Sequence, residues 1–543
     1  MRFVIIGAVA AGTSAAAKAR RNSEEAEITV YEKGSYISYS GCGMPYFLGG
    51  EVANEDELTP RDPVFFKTKY NVDIFTRHDV LAIHPDDKTL DVKNLQTGER
   101  FIDHYDKLII ATGAQAIVPP IDGVQLQHVF TLRTIDDMER IKAFIDSQQP
   151  KTAVIIGTGF IGLEACENLK KIGLDITLLE KLPHVTPGLD SDMAAYVQQH
   201  IEKNGVSVYT DVTVKEMTPS GVLLADGTEI KADMVLLSTG IRPDTELAAR
   251  AGVKLGVANA ICVNTKMQTN IPDIYACGDC IEHFHLVTQR RVYRPLGSTA
   301  NKTGRIAGDC VSGGNLEFKG ILGTGIFKIF DLSVAQTGLS EREALELGYD
   351  IVVCHNIKPN KPEYMKGKEI VIKGIADRLS GRLLGVQLIG DEGVDKRTDV
   401  FATTISYGAK AEDLFHLDLA YAPPFSTTKD PVMYTGMILD NAIQKGRPLI
   451  TAQELKSLMQ SGEKYALIDT RIPSQYEKGH IDSAMNIPVS KLRDAVETLE
   501  KGTITITYCN KGVTGNAAQN ILINNGFEKV YNLSGGYKQF IHS

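Results

Sequence analysis

Twice in this chain a short apolar run enters a glycine turn, continues as a helix and returns as a second apolar run ending in an acid. A buried parallel α/β sheet is the arrangement that accommodates this order. The first copy reads Phe3-Val4-Ile5-Ile6, then Gly7-Ala8-Val9-Ala10-Ala11-Gly12, an Ala-rich helix start, and Ile28-Thr29-Val30-Tyr31-Glu32. Val9 stands where the middle glycine of the usual pattern falls, but strand, turn, helix and acid follow in the right order. The second copy is cleaner: Ala153-Val154-Ile155-Ile156, then Gly157-Thr158-Gly159-Phe160-Ile161-Gly162, and Ile176-Thr177-Leu178-Leu179-Glu180. In such units the helix amides face a pyrophosphate and the acid accepts from a ribose hydroxyl, so two dinucleotides are expected. Glu180 favours an unphosphorylated ribose, hence NADH over NADPH, with the adjacent Lys181 softening that preference.

Two further segments assign FAD to the first site. Leu108-Ile109-Ile110-Ala111-Thr112-Gly113 is an apolar strand ending in a turn, where a chain would cross between domains. Ile274-Tyr275-Ala276-Cys277-Gly278-Asp279 ends in a Gly-Asp pair whose carboxylate would hydrogen-bond a ribityl chain; the competing reading is that Asp279 caps a following helix. The expected FAD set is Gly7, Ala8, Ala10, Ala11, Gly12, Glu32, Lys33, Val80, Ala111, Thr112, Gly113, Gly278 and Asp279, and the expected NADH set is Gly157, Gly159, Gly162 and Glu180.

Cys42, in Ser40-Gly41-Cys42-Gly43-Met44-Pro45-Tyr46, lies shortly after the first terminal acid. A flavin enzyme that reduces disulfides with its own dithiol carries a partner cysteine about five residues away, but position 37 is Ile and position 47 is Phe. The second sulfur must come from a substrate, or Cys42 must cycle alone through a persulfide or sulfenic acid. Because the thiolate is the nucleophile, the site is expected to lower the thiol pKa.

The chain has 543 residues, enough for three or four domains, with 43% hydrophobic and 23% charged residues. Its formal net charge of −9 and the lack of any basic cluster argue against a nucleic-acid partner and for small molecules. No apolar run reaches the roughly 18 residues of a membrane span, and reading Arg2 to Ala17 as a secretory signal would sacrifice the first glycine turn. Eight cysteines without regular spacing suggest a reducing, cytoplasmic setting. Cys277 and Cys280 have C-x-x-C spacing but straddle the Gly-Asp motif, so no metal site is expected there.

Residues 1 to about 445 resemble the pyridine-nucleotide-disulfide oxidoreductases, and within them the coenzyme A disulfide reductase branch. The resemblance implies FAD segments split around an NAD domain, a dimerisation domain from about 325, and a homodimer. It also implies a coenzyme A channel addressed by Ser14, Lys18, Arg21, Ser38, Gly41 and Lys69, with Asn301 and Lys429 supplied by the other subunit. Tyr421 matches a family tyrosine near the partner's flavin and cysteine; Tyr364 is a second candidate, with an interface aromatic as the alternative. Members that reduce peroxide or oxygen usually carry His where this chain has Ala10, which makes that chemistry a side activity at most.

After Gly446-Arg447-Pro448 a fresh α/β pattern begins. Ile504-Thr505-Ile506-Thr507-Tyr508 delivers Cys509 into Asn510-Lys511-Gly512-Val513-Thr514, and the segment resembles a rhodanese domain. A cysteine at a strand end, ringed by backbone amides, suits a thiolate and its persulfide. Asn510 replaces the Arg common after the cysteine, which puts thiosulfate preference in doubt.

The expected architecture is α/β: two Rossmann-like FAD- and NAD(P)-binding domains (1–115 with 241–324, and 116–240), an α+β dimerisation domain (325–445) and a rhodanese domain (446–543). The expected activity is NADH-dependent reduction of coenzyme A persulfide or polysulfide to thiol and sulfide at Cys42, with Cys509 delivering sulfane sulfur. The alternatives are coenzyme A disulfide reduction for thiol homeostasis, or sulfur transfer by Cys509 as the main role.

Overall fold

The computed structural model describes residues 1–543. The chain forms two compact units, residues 1–183 with 206–323, and residues 184–205 with 324–543.

The first unit contains both dinucleotide patterns, each on a five-stranded parallel sheet. Strand Arg2–Ile6 runs between Glu27–Tyr31 and Lys107–Ile110, with Ile274–Ala276 and Asp73–Phe75 at the edges. Its residues 3–6 are all buried, which is why it reads as a continuous apolar run and not as an alternating one. Helix Ala11–Asn22 covers the sheet and packs on helix Gly297–Val311, where a Cβ at Gly304 or Gly308 would overlap the backbone of Ala11 or Ala15. The second sheet places Thr152–Ile156 between Asp175–Leu179 and Met234–Leu237. The two connections between the sheets, Ala114–Ala116 and Ile241–Pro243, pair antiparallel with each other.

In the second unit an antiparallel five-stranded sheet runs Gly325–Ile329, Leu332–Gly338, Leu383–Gly390, Glu369–Asp377, Ile351–Pro359. Helix Ser191–Lys203, which lies in sequence within the stretch expected to bind NAD, packs with this unit. The cause is electrostatic. Lys373, buried at 1% exposure, sits 2.8 Å from Asp192, 3.2 Å from Asp190 and 2.6 Å from Glu341, and His355 Nε2 lies 2.7 Å from Asp192. Residues beyond 448 add a five-stranded parallel sheet in the order Leu449–Ile450, Val530–Leu533, Ile504–Tyr508, Tyr465–Asp469, Met485–Asn486. No helix is long and apolar enough to cross a membrane.

Candidate active site

Cys42 occupies a single 3-10 turn, Gly41–Gly43, that leads into the short helix Met44–Leu48. That helix lies against helices Ile135–Gln148 and Phe160–Lys171, so residues remote in sequence surround the thiol. The thiol reaches solvent, yet the protein around it still desolvates it. Burial pushes the Cys42 pKa up, Glu164 and Asp279 push the same way, and only Arg133 opposes them. The sequence led us to expect a lowered value; the chain's own groups do the reverse, because the charges nearest the thiol are mostly carboxylates. Glu164 is itself raised to about 7 by burial, with the Tyr46 hydroxyl 3.4 Å away working in the other direction. Glu164 and Arg133 were missed in the sequence. Both lie on segments that read as ordinary helix or loop polarity, and only tertiary packing brings them to Cys42.

The first glycine turn has the shape a pyrophosphate requires. Gly7 sits at φ +100°, and a Cβ there would overlap the carbonyl of Ala111. The amides of Ala11, Gly12 and Thr13, at the start of the helix, have no acceptor in the protein, while Ser14 N already bonds Ala10 O. Ala8 N donates to Glu32 at 2.7 Å and Gly34 N to its other oxygen at 2.8 Å; burial raises the pKa of this carboxyl. Thr112 Oγ1 donates to Asp244 O at 2.5 Å, with Gly113 following at positive φ. Val80 is buried in strand His78–His84, and Lys33 is an exposed cation 3.3 Å from Asp79. Asp279 caps no helix: it lies in the three-residue turn Gly278–Cys280, and the next helix starts at Gly297. Its carboxylate accepts from Arg133 Nη2 at 2.8 Å.

At the second turn Gly157 and Gly162 are tightly packed, but the space a Cβ on Gly159 would enter is open, as a ligand-facing position requires. Glu180 accepts from Thr158 N (3.0 Å), Thr158 Oγ1 (2.7 Å) and Leu182 N (3.0 Å), which fixes the carboxylate at the end of its strand. The C-x-x-C pair is core: Cys277 and Cys280 are fully buried, and burial raises both thiols, that of Cys280 to about 11.

The expected coenzyme A contacts divide into free and committed groups. Arg21 lies over the Tyr70 ring at 5.5 Å and Lys69 flanks the same ring at 5.5 Å, so the two cations share one aromatic platform. Ser38 adopts positive φ just before the Cys42 turn that begins at Gly41. Lys18, by contrast, is paired with Asp309 at 3.0 Å and with Asn22 at 2.8 Å. Asn301 was expected from the other subunit, but Ser14 Oγ of the same chain donates to it at 2.7 Å across the packed helices. Lys429 lies 5.7 Å from the Tyr434 ring. Tyr421 and Tyr364 are both exposed, the first in the segment before helix Pro431–Gln444 and the second in the turn Glu363–Met365.

Cys509 is buried at the end of strand Ile504–Tyr508, and Gly512 turns the loop into helix Val513–Asn524 at φ +89°. The loop is held from behind, by Tyr537 N donating to Cys509 O (2.8 Å) and Lys538 N to Asn510 O (3.0 Å). In front, the amides from Asn510 to Thr514 have no acceptor in the protein, a ring of donors suited to an anionic sulfur. Arg471, bound to Asp469 at 2.6 Å and stacked on Tyr537 at 4.4 Å, stiffens the neighbouring strand end.

Two nucleotide-type turns, a lone cysteine between them and a second cysteine in an amide-lined loop define a flavin- and nicotinamide-dependent oxidoreductase of sulfur groups. The chain belongs to the pyridine nucleotide-disulphide oxidoreductase family, whose profile matches residues 1–296; the family's dimerisation domain matches 325–431 and a rhodanese-like domain 451–543. It is 35% identical over 442 residues to a protein of Pyrococcus horikoshii named NAD(P)H coenzyme A polysulfide/persulfide reductase, covering 81% of this chain and 98% of that one. It is similar to the solved structure of reduced Bacillus anthracis CoADR-RHD, with TM-score 0.97 and 38% identity over 100% of this chain and 98% of the other. It is also similar to a NAD-dependent persulfide reductase from A. fulgidus, with TM-score 0.92 and 36% identity over 99% and 100%.

Proposed function

We propose that this protein is an NADH-dependent persulfide or polysulfide reductase that uses coenzyme A persulfide as substrate and Cys509 as sulfur collector. The observation that carries the reading is the combination of a Cys42 turn without a second cysteine and an intact, amide-lined Cys509 loop in one chain. Bound FAD, held by the Gly7 to Gly12 turn, Glu32, Thr112 and Asp279, would supply a two-electron carrier between nicotinamide and sulfur. Gly157, Gly159, Gly162 and Glu180 would hold the nicotinamide dinucleotide, with Glu180 favouring NADH.

Cys42 thiolate attacks the outer sulfur of the persulfide; the S–S bond breaks and coenzyme A leaves as thiolate. Two electrons from NADH then release hydrosulfide and restore the Cys42 thiolate; once the departing coenzyme A thiolate takes a proton, each turnover converts coenzyme A persulfide and NADH to coenzyme A thiol, hydrosulfide and NAD+. Glu164, raised to about 7, can hold a proton beside this sulfur at neutral pH. Arg21 and Lys69 would meet substrate phosphates. In a homodimer, the exposed Tyr421 of one subunit would donate a hydrogen bond to the leaving thiolate in the other. The eight free cysteines suit a reducing, cytoplasmic setting.

The test is Cys42→Ser. It should abolish NADH oxidation by coenzyme A persulfide while leaving bound flavin and thiosulfate-to-cyanide transfer intact. Full persulfide turnover in that variant sinks the scheme.

A further inference from the structure

The Cys509 loop and the turn behind it carry two cations, and one carboxylate from another strand holds both. Lys511 lies two residues after Cys509, and Lys538 follows Tyr537, whose amide donates to Cys509 O at 2.8 Å. Lys538 N donates to Asn510 O at 3.0 Å. The backing turn leaves no slack, because a Cβ on Gly536 would overlap Cys509 O. The Nζ atoms of Lys511 and Lys538 donate to different oxygens of Glu369. Burial would raise the Glu369 carboxyl, but the two lysines outweigh it and hold the group below its ordinary value.

Glu369 begins strand Glu369–Asp377 of the dimerisation sheet. Side chains alternate along a strand, so Glu369 and Lys373 share one face, and His355 stands opposite Lys373 in the register. The same face meets the backing turn a second time, with His355 Nδ1 3.0 Å from Ser534 Oγ. At the neighbouring strand end Arg471 is likewise committed, to Asp469 at 2.6 Å. Beside these neutralised charges stand two exposed apolar side chains, Val513 in the loop and Ile472 next to Arg471. A dianion approaching a thiolate meets a repulsion that a free cation would offset, whereas a sulfane sulfur on an organic arm keeps most of its donor's charge at a distance.

We propose that Glu369 sets the donor specificity of Cys509: by neutralising Lys511 and Lys538 it turns the loop away from compact dianions such as thiosulfate and toward sulfane sulfur on an organic arm. The inference rests on the reading of Cys509 as a sulfur acceptor. With thiosulfate or an alkyl thiosulfonate anion, the Cys509 thiolate attacks the sulfane sulfur and a Cys509 S–S bond forms. The donor's own bond to that sulfur breaks with its electron pair leaving on sulfite or alkylsulfinate, and no net electrons are needed. Cyanide then takes the sulfur as thiocyanate and restores the thiolate. The chemistry is the same for both donors, but the thiosulfonate has one negative charge fewer and an apolar group in its place.

The experiment uses the full-length protein with cyanide as acceptor and either thiosulfate or the methanethiosulfonate anion as donor, and reads the ratio of their kcat/KM values. Misfolded protein scales both donors alike and leaves this ratio unmoved. Glu369→Gln should lower KM for thiosulfate about threefold or more and shift the ratio toward thiosulfate. Adding Lys511→Met and Lys538→Met to Glu369→Gln should remove that gain. A ratio that Glu369→Gln leaves unmoved or shifts toward the thiosulfonate would make Glu369 merely structural and overturn the proposal. A gain that persists without the two lysines overturns it as well. Transfer that survives in Cys509→Ala overturns the underlying reading and the specificity with it.

Discussion

At Cys42 opposite charges compete for one thiol: Glu164 and Asp279 favour the neutral form and Arg133 the thiolate. Glu164→Gln should therefore shift the pH midpoint of Cys42 alkylation down, and Arg133→Gln should shift it up, with Cys42→Ser supplying the background rate of the other cysteines. No movement in either variant would contradict this placement. Glu164 also links to stability. Between the ordinary carboxylate range and about 7, the folded chain holds a proton at Glu164 that the unfolded chain has given up, so stability falls as pH rises through that window. In Glu164→Gln, denaturant midpoints measured from about pH 5 to 7 should decline less steeply than in wild type. Cys42 and Cys509 were legible in the sequence because each is announced by a local turn pattern. Glu164 and Arg133 were not, because each acquires its neighbour only when separate elements pack.

At the scale of elements, the glycine turns and their flanking strands were readable because a buried parallel strand leaves a continuous apolar run and its turn leaves fixed glycines. Helix Ser191–Lys203 joins the parallel strands Asp175–Leu179 and Ser207–Tyr209 of the second nucleotide sheet, yet it packs with the second unit. Its sequence follows the second nucleotide pattern, but Asp190 and Asp192 converge on Lys373, whose charge has no exit to water. The Asp192 carboxyl is held far below the usual carboxylate range, with Lys373 and His355 outweighing the cost of its burial. Lys373→Met leaves Asp190 and Glu341 without their cation and Asp192 with His355 alone, and should destabilise the protein by about 3–5 kcal/mol, read from chemical denaturation. A change under about 1 kcal/mol would show that this cluster does not anchor the helix.

At the scale of the whole molecule, a pyridine-nucleotide-dependent oxidoreductase and a rhodanese-like domain share one chain, each with its own cysteine. Cys509→Ala should eliminate thiosulfate-to-cyanide transfer while coenzyme A persulfide supplied directly still supports NADH oxidation. The most direct measurement is anaerobic NADH oxidation by the flavin-loaded protein, comparing coenzyme A persulfide with coenzyme A disulfide while sulfide is quantified. Turnover should be faster with the persulfide, with one sulfide released per NADH. Preference for the disulfide, with no sulfide formed, would contradict it and make thiol reduction the function.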